Sequence, residues 1–250
     1  MPDFVVLHTN DLHGKLSDHG AEVISREKSG CLECLLLDSG DAISSGNIYY
    51  RPGGEPMLTR LSDLGYDAMA MGNREFHFLE RGLKSKVRLA RFPILCANLH
   101  SANSDAGISV KRSIQFERGG IRIAIFGLTV PMITRGMLAS RFSPYCFEDP
   151  LAAAAELVSE LRAQADYVIA LTHIGLEKDR ELAASVPGID LIVGGHTHAV
   201  LDEPIWVGDT AVVQAGWWGH YLGKVEITLP ATHGKRADVR GHLIDLRLGE

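Results

Sequence analysis

Residues Phe4–Gly14 read F-V-V-L-H-T-N-D-L-H-G. The first five form an apolar run of strand length, and polar residues crowd in directly behind it. A run that is apolar on both faces suits a strand in a sheet covered on both sides. The pattern recurs along the chain. Leu35–Asp38 (LLLD) runs into Ser39-Gly40-Asp41, and Ala68–Met71 (AMAM) into Gly72-Asn73-Arg74-Glu75. Tyr167–Thr172 (YVIALT) runs into His173, and Leu191–Val193 (LIV) into Gly194-Gly195-His196-Thr197-His198. Pro93–Ala97 (PILCA) is a further strand-like run.

Helical patterns lie between these runs. Glu55–Leu64 carries Met57, Leu58, Leu61 and Leu64 at three-to-four spacing. Asp149-Pro150 supplies an N-cap and an N1 proline for Leu151–Ala163. Glu177–Ser185 is a shorter helix, ended by Pro187. Val110–Gly127 predicts a hairpin around Gly119-Gly120. After Val200 the texture changes. Pro204–Val207, Ala211–Gln214, Lys224–Leu229 and Arg240–Leu248 are strands with no helix between, expected to run antiparallel. The whole predicts one α/β domain over 1–250 with a mixed sheet system.

Composition excludes several classes. With 46% apolar and 22% charged residues in a 250-residue chain, disorder and coiled coil are out. No apolar stretch approaches the roughly 18–20 residues of a membrane span, so no membrane partner is expected. Met1-Pro2-Asp3-Phe4 lacks the basic region of a signal peptide, which makes a reduced, cytoplasmic protein the default. Cys34 opens an apolar run and is expected in the core. The net charge of −6, with no Lys/Arg run, argues against long nucleic acid as a partner.

Ligand sites in open α/β sheets lie beyond the carboxyl ends of the strands. If the five strands run parallel, Asp11, His13, Asp41, Asn73, His173, His196 and His198 converge on one rim. These donors are too many for one tetrahedral zinc. They suit two divalent ions sharing a carboxylate, either Asp41 or Asp11. Mixed nitrogen and oxygen donors favour zinc, manganese or iron over magnesium. Two such ions clamp a phosphoryl group and activate water. The sequence has no G-x-S-x-G elbow, no H-E-x-x-H pair and no Walker A loop.

At these residues the chain resembles the calcineurin-like metallophosphoesterases, and more narrowly the catalytic domain of the 5′-nucleotidase / 2′,3′-cyclic phosphodiesterase family. The resemblance rests on Leu7–Gly14 (LHTNDLHG), Leu36–Asp41 (LLDSGD), Gly72–His77 (GNREFH), Thr172–Gly175 (THIG), Gly194–His198 (GGHTH) and the glycine-rich Gly216–Gly223. It implies a four-layer α/β/β/α sandwich with two mixed β-sheets. It implies one metal on Asp11, His13, Asp41 and His198, and another on Asp41, Asn73, His173 and His196, with Asp41 bridging. The implied reaction is phosphoester hydrolysis by in-line attack of a metal-bridging hydroxide on a small phosphorylated substrate, 5′-nucleotidase-like. The alternatives are a phosphodiesterase, cyclic nucleotides included, and a catalytically weak metal-binding scaffold. The chain stops at Glu250, so a single catalytic domain without a nucleotide-specificity domain is expected.

One departure bears on chemistry. The family pattern reads G-N-H-E-F-D, and here its His is Arg74 and its Asp is His77. In the family that His contacts the phosphoryl group and helps the leaving group. Asn73 and Arg74 are therefore expected to bind substrate. Arg74 can stabilise charge on phosphoryl oxygens but, as a permanently charged guanidinium, cannot act as an acid. His77 is expected to supply the proton.

Overall fold

The computed structural model of the chain describes residues 1–101, 110–230 and 236–247. Its strands form two large sheets. The first runs in the order β15 (Asp238–Asp245), β14 (Tyr221–Thr228), β1 (Phe4–Thr9), β2 (Cys34–Asp38), β3 (Ala68–Ala70), β4 (Ile94–Leu95) and β6 (Val110–Lys111). The second runs β12 (Ile205–Val207), β13 (Thr210–Val213), β11 (Leu191–Val193), β10 (Tyr167–His173), β8 (Ile121–Thr129) and β7 (Ser113–Arg118). β5 (Leu99–Ser101) and β9 (Tyr145–Phe147) pair outside both. Both sheets are mixed: β1, β2, β3 and β4 are parallel while β14 and β15 are antiparallel.

The period-two alternation of each strand builds the layers. Phe4 and Val6 of β1, Leu35 and Leu37 of β2, and Tyr167, Ile169 and Leu171 of β10 fill the space between the sheets. Phe4 meets Tyr167 edge-on across that space, with ring centroids 5.2 Å apart. The alternate residues face outward. Val5, Leu7 and Leu36 pack with α1 (Asp18–Ser29), α2 (Pro56–Asp63) and α3 (Glu80–Val87), through Val23, Ile24, Leu58, Leu61, Leu83 and Val87. Val168, Ala170 and Ile192 pack with α4 (Pro150–Arg162) and α5 (Leu176–Ser185), through Leu157, Val158, Leu161 and Leu182. The order of layers is helix, sheet, sheet, helix, as the resemblance implies.

Local signals hold where they are strong. The Asp149 carboxylate accepts from the Leu151 and Ala152 N–H groups at 3.0 Å, and Pro150 opens α4. Gly119 and Gly120 take φ of 57° and 76°, the positive pair a two-residue hairpin turn requires, and join β7 to β8. Cys34 is buried on the helix-facing side of β2. Among the described residues, no helix is long and apolar enough to cross a membrane.

Two expectations need correction. The hairpin begins at Ser113, because Val110–Lys111 pairs with β4 in the other sheet. The last strands are not a single antiparallel set. β12 pairs antiparallel with β13, but β13 runs parallel to β11, and β14–β15 add to the opposite sheet beside β1. Leu248, at the end of the expected last strand, lies outside the described residues. α1 and α3 were not anticipated. The Ser17 hydroxyl caps α1 by accepting from the Gly20 N–H at 3.0 Å.

Leu171 lies fully buried between the sheets. Leu171→Ala is expected to lower unfolding free energy by about 2–5 kcal/mol. Leu32→Ala, at a 95% exposed position, is expected to stay within about 0.5 kcal/mol of the parent. Urea titration followed by circular dichroism checks both.

Candidate metal centre

The carboxyl ends of β1, β2 and β3 in one sheet meet those of β10 and β11 in the other. Ser39, just past β2, ties the two edges together. Its hydroxyl donates to the Val193 carbonyl at 2.8 Å, and its own carbonyl accepts from His173 Nδ1 at 2.8 Å. All seven residues expected at the rim gather there. Asp11, His13 and His198 form one group whose ligand atoms lie within 4.8 Å of one another, and Asp11, Asp41 and His173 form a second.

Asp41 faces both ways. Its Oδ2 lies 3.6 Å from His13 Nε2 and its Oδ1 lies 3.5 Å from His173 Nε2. His198 Nε2 lies 3.3 Å from Asp11 Oδ1. Asn73 Oδ1 lies 3.3 Å from His173 Nε2, and the His196 ring meets the His173 ring edge-on at 5.1 Å. Asp11 Oδ1 and His13 Nε2 are buried without a hydrogen-bond partner. Such atoms are costly to leave unpaired, and a divalent cation at this point would satisfy both. The nitrogen and oxygen donor set fits zinc, manganese or iron.

The charges of the cluster answer one another. Burial alone would raise the Asp11 and Asp41 carboxyls. The histidines outweigh it, His13 and His198 at Asp11 and His13 and His173 at Asp41, and hold both below the usual range. Burial disfavours the charged form of His173, yet Asp41, Asp11 and the Ser39 carbonyl hold its pKa up at about 9. His196 is pushed down, by burial and then by the charge of His173.

Behind this ring stands a set of braces that sequence patterns did not single out. The fully buried Glu75 accepts from the N–H groups of Asp41 (2.9 Å), Gly72 (2.9 Å) and Ile43 (3.2 Å). It thereby clamps the loop after β2 to the loop after β3. The loops touch so closely that a Cβ on Gly72 would collide with the Asp41 backbone nitrogen and carboxylate, so only glycine fits. Lys86 of α3 is also fully buried and donates to the carbonyls of Gly46 (2.8 Å), Phe76 (3.0 Å) and Arg74. Burial lowers its pKa to about 8. Asn10 also braces the β1 loop, donating to Asp11 Oδ2 at 2.8 Å and to the Gly216 carbonyl, while its own Oδ1 accepts from the Ala215 N–H.

The two departing residues separate. Arg74 stands at the ring. Its N–H donates to Asp41 Oδ1 at 2.7 Å, its Nε lies 3.5 Å from Asp41 Oδ2, and its side chain is 31% exposed. His77 is turned to other partners. It is 2% exposed, its Nε2 hydrogen-bonds the Ile48 carbonyl at 3.1 Å, and its Nδ1 accepts from the Leu79 N–H at 3.0 Å. Its ring stacks on Phe78 and meets Tyr50 edge-on. Both nitrogens are engaged and burial pushes its pKa down, so in this arrangement neither nitrogen is free for the proton-donor role expected of it. The side chain packs against the Ile48–Tyr50 loop.

The chain is 34% identical to a trifunctional nucleotide phosphoesterase protein, YfkN, of Bacillus subtilis, over 90% of this chain and 18% of that one. It is 29% identical to a 5′-nucleotidase of Vibrio parahaemolyticus, over 88% of this chain and 47% of that one. The crystal structure of a 5′-nucleotidase precursor from Thermus thermophilus superposes with a TM-score of 0.80 at 25% identity, covering 97% of this chain and 54% of that one. The chain thus spans about half or less of the length of these relatives. The family model for calcineurin-like phosphoesterases matches residues 4–200, a span that holds all seven ring residues and both sheet edges carrying them. The chain belongs to the calcineurin-like phosphoesterase family.

Proposed function

We propose that the chain is a two-metal phosphohydrolase acting on a small phosphorylated substrate, in the manner of its 5′-nucleotidase relatives. The observation that carries this is Asp41, whose two oxygens face His13 at 3.6 Å and His173 at 3.5 Å, one toward each half of the ring. Asp11, His13, Asp41 and His198 would hold one divalent ion. Asp41, Asn73, His173 and His196 would hold the other. Ions bound there supply Lewis acidity toward a phosphoryl oxygen and make water a nucleophile near neutral pH.

The chain's own residues do the rest. Arg74 offers a permanent cation at the edge of the ring, where its planar fork suits two phosphoryl oxygens at once. It gives no proton to the departing oxygen, and the Nε2 proton of His77 is engaged by the Ile48 carbonyl at 3.1 Å. Substrates whose leaving groups depart unprotonated should therefore be preferred: aryl esters, diesters and anhydrides over alkyl monoesters.

Chelation is expected to abolish hydrolysis of p-nitrophenyl mono- and diesters, and added manganese or zinc to restore it. Asp41→Asn is expected to lower kcat by more than about 100-fold. Metal retention with no turnover on a broad phosphoester panel would favour the scaffold reading instead. Across a series of leaving groups, rates should fall steeply as leaving-group pKa rises. A flat series, with chemistry rate-limiting, would contradict the role given to Arg74. The double change Arg74→His with His77→Asp should flatten it.

Metal binding should also release protons. His173 titrates near 9 in the metal-free protein, so near pH 7.5 an incoming cation must displace its proton. Calorimetry in buffers of different ionisation enthalpy reads this directly. The sign for stability follows. A raised histidine stabilises the metal-free fold fully below its unfolded value of about 6.5, and that contribution is lost as pH rises through about 9. Metal-free melting temperatures should fall across this window.

A further inference from the structure

The histidines of the ring are not held alike. His173 is buried, and its Nδ1 donates to the Ser39 carbonyl at 2.8 Å. Metal-binding histidines are normally oriented in this way, through a hydrogen bond from the second ring nitrogen. His198 is more exposed. Its Nε2 points to Asp11 Oδ1 at 3.3 Å, and among the described residues its Nδ1 meets no protein hydrogen-bond partner. What flanks its ring is aromatic. The His13 ring stands edge-on at 5.2 Å, and the Trp217 indole lies nearly parallel, with centroids 5.8 Å apart and planes 19° apart.

Trp217 is itself firmly placed. The Gly216 carbonyl accepts from Asn10 Nδ2 at 2.6 Å, and the Gly216 N–H donates to the Ala199 carbonyl at 2.8 Å. The Trp218 N–H donates to the Asp11 carbonyl at 2.8 Å. The residues on either side of Trp217 are thus tied to the loop of Asp11 and to the residue after His198. An aromatic face carried by that loop can fix a neighbouring ring in tilt and position.

We propose that Trp217 is a positioning residue for the metal site formed by Asp11, His13 and His198, its indole face doing for His198 what the Ser39 carbonyl does for His173. This rests on the two-metal reading of the ring. It goes further by making the two sites unequal in their support. One is oriented by a buried hydrogen bond and the other by a partly exposed ring stack, so they respond separately to substitution.

The test is binding of Co²⁺, followed by calorimetry and by visible absorption of the bound ion, in metal-stripped parent protein and in Trp217→Phe, Trp217→Leu and Trp217→Ala. Thermal melts establish that each variant folds. The parent is expected to take two ions per chain. Trp217→Ala and Trp217→Leu should weaken one of them by about 10–100-fold, with a changed absorption band, and leave the other within about 3-fold. Trp217→Phe keeps an aromatic face and should stay within about 3-fold of the parent at both. If folded Trp217→Ala or Trp217→Leu binds both ions like the parent, the positioning role is overturned and the two-metal centre stands. Equal weakening of both ions overturns it as well. A parent that binds fewer than two ions overturns the two-metal reading itself, and this inference with it. The leucine variant guards against a fold-level loss in the alanine variant, since it keeps apolar bulk and removes only the ring.

Discussion

Five residues of the ring hold backbone angles that side chains avoid. Asp11, His13, Asp41, His196 and His198 have φ between 49° and 77°. Each non-glycine residue in the left-handed region costs about 1–2 kcal/mol. The cause is geometric. A strand arrives at the rim pointing straight out of the sheet, and a left-handed residue turns the chain so that the next side chains lean back over the edge. The strain is held by loops that support one another. The Asp11 N–H donates to the Gly40 carbonyl, the His13 N–H to the Asp41 carbonyl and the Gly14 N–H to the Ala42 carbonyl, at 2.8–2.9 Å. The loops after β1 and β2 thus continue the parallel pairing of their strands beyond the sheet. The His196 N–H donates to Asp11 Oδ2 at 2.8 Å, joining the far sheet to the same frame. Strain at ligand positions is where a packed scaffold stores pre-organisation.

The same crowding sorts four buried carboxylates into two kinds. Asp11 and Asp41 face histidines and sit below the usual carboxylate range. Asp38 and Glu75 lie behind them and are pushed up, by burial first and by nearby acids next. Asp38 accepts from the Thr9 hydroxyl and the Gly40 N–H, and Glu75 accepts from three backbone N–H groups. The rear pair shapes the backbone and the front pair faces the histidines. This also revises what a net charge of −6 implies. Part of that negative charge is concentrated where divalent ions would sit, so an acidic chain is compatible with a phosphate ligand. In such a site the ions' own charge dominates.

The main strands and the ring were legible because both depend on local signals that tertiary structure does not override, while the four-layer order followed from the family resemblance alone. Strands apolar on both faces must be covered on both sides, and β1, β2 and β10 carry that signature over their full lengths. Parallel strands then place their carboxyl ends together, which located all seven ring residues. The helices α1 and α3 were not legible. They reach the core through as few buried apolar side chains as Val23 and Ile24, or Leu83 and Val87. The partners of the final strands were also out of reach, since an alternating strand does not specify which sheet edge it joins. Lys86 escaped notice for a related reason. A lysine on a short helix acquires meaning only from what the fold sets beside it.

The exchange at positions 74 and 77 makes physical sense as a pair. A histidine at 74 has two tautomers and a pKa near physiological pH, so it needs a neighbour to set its proton and its plane. A carboxylate three residues on can do that. A guanidinium has neither freedom: it is charged at every accessible pH and presents its donors in a fixed fork. With Arg74 in place, position 77 has no orienting task. The structure fills it with an imidazole whose two nitrogens serve the Leu79 N–H and the Ile48 carbonyl and whose face packs on Phe78. Arg74 is oriented instead by its own N–H on Asp41, by its Nη1 on the Ser44 carbonyl at 3.1 Å, and by Lys86 on its carbonyl. The site has thus exchanged a group that could move a proton for one that can only hold charge. Any gain in rate at position 74 must come from the charge that develops on phosphoryl oxygens, not from protonating the group that leaves.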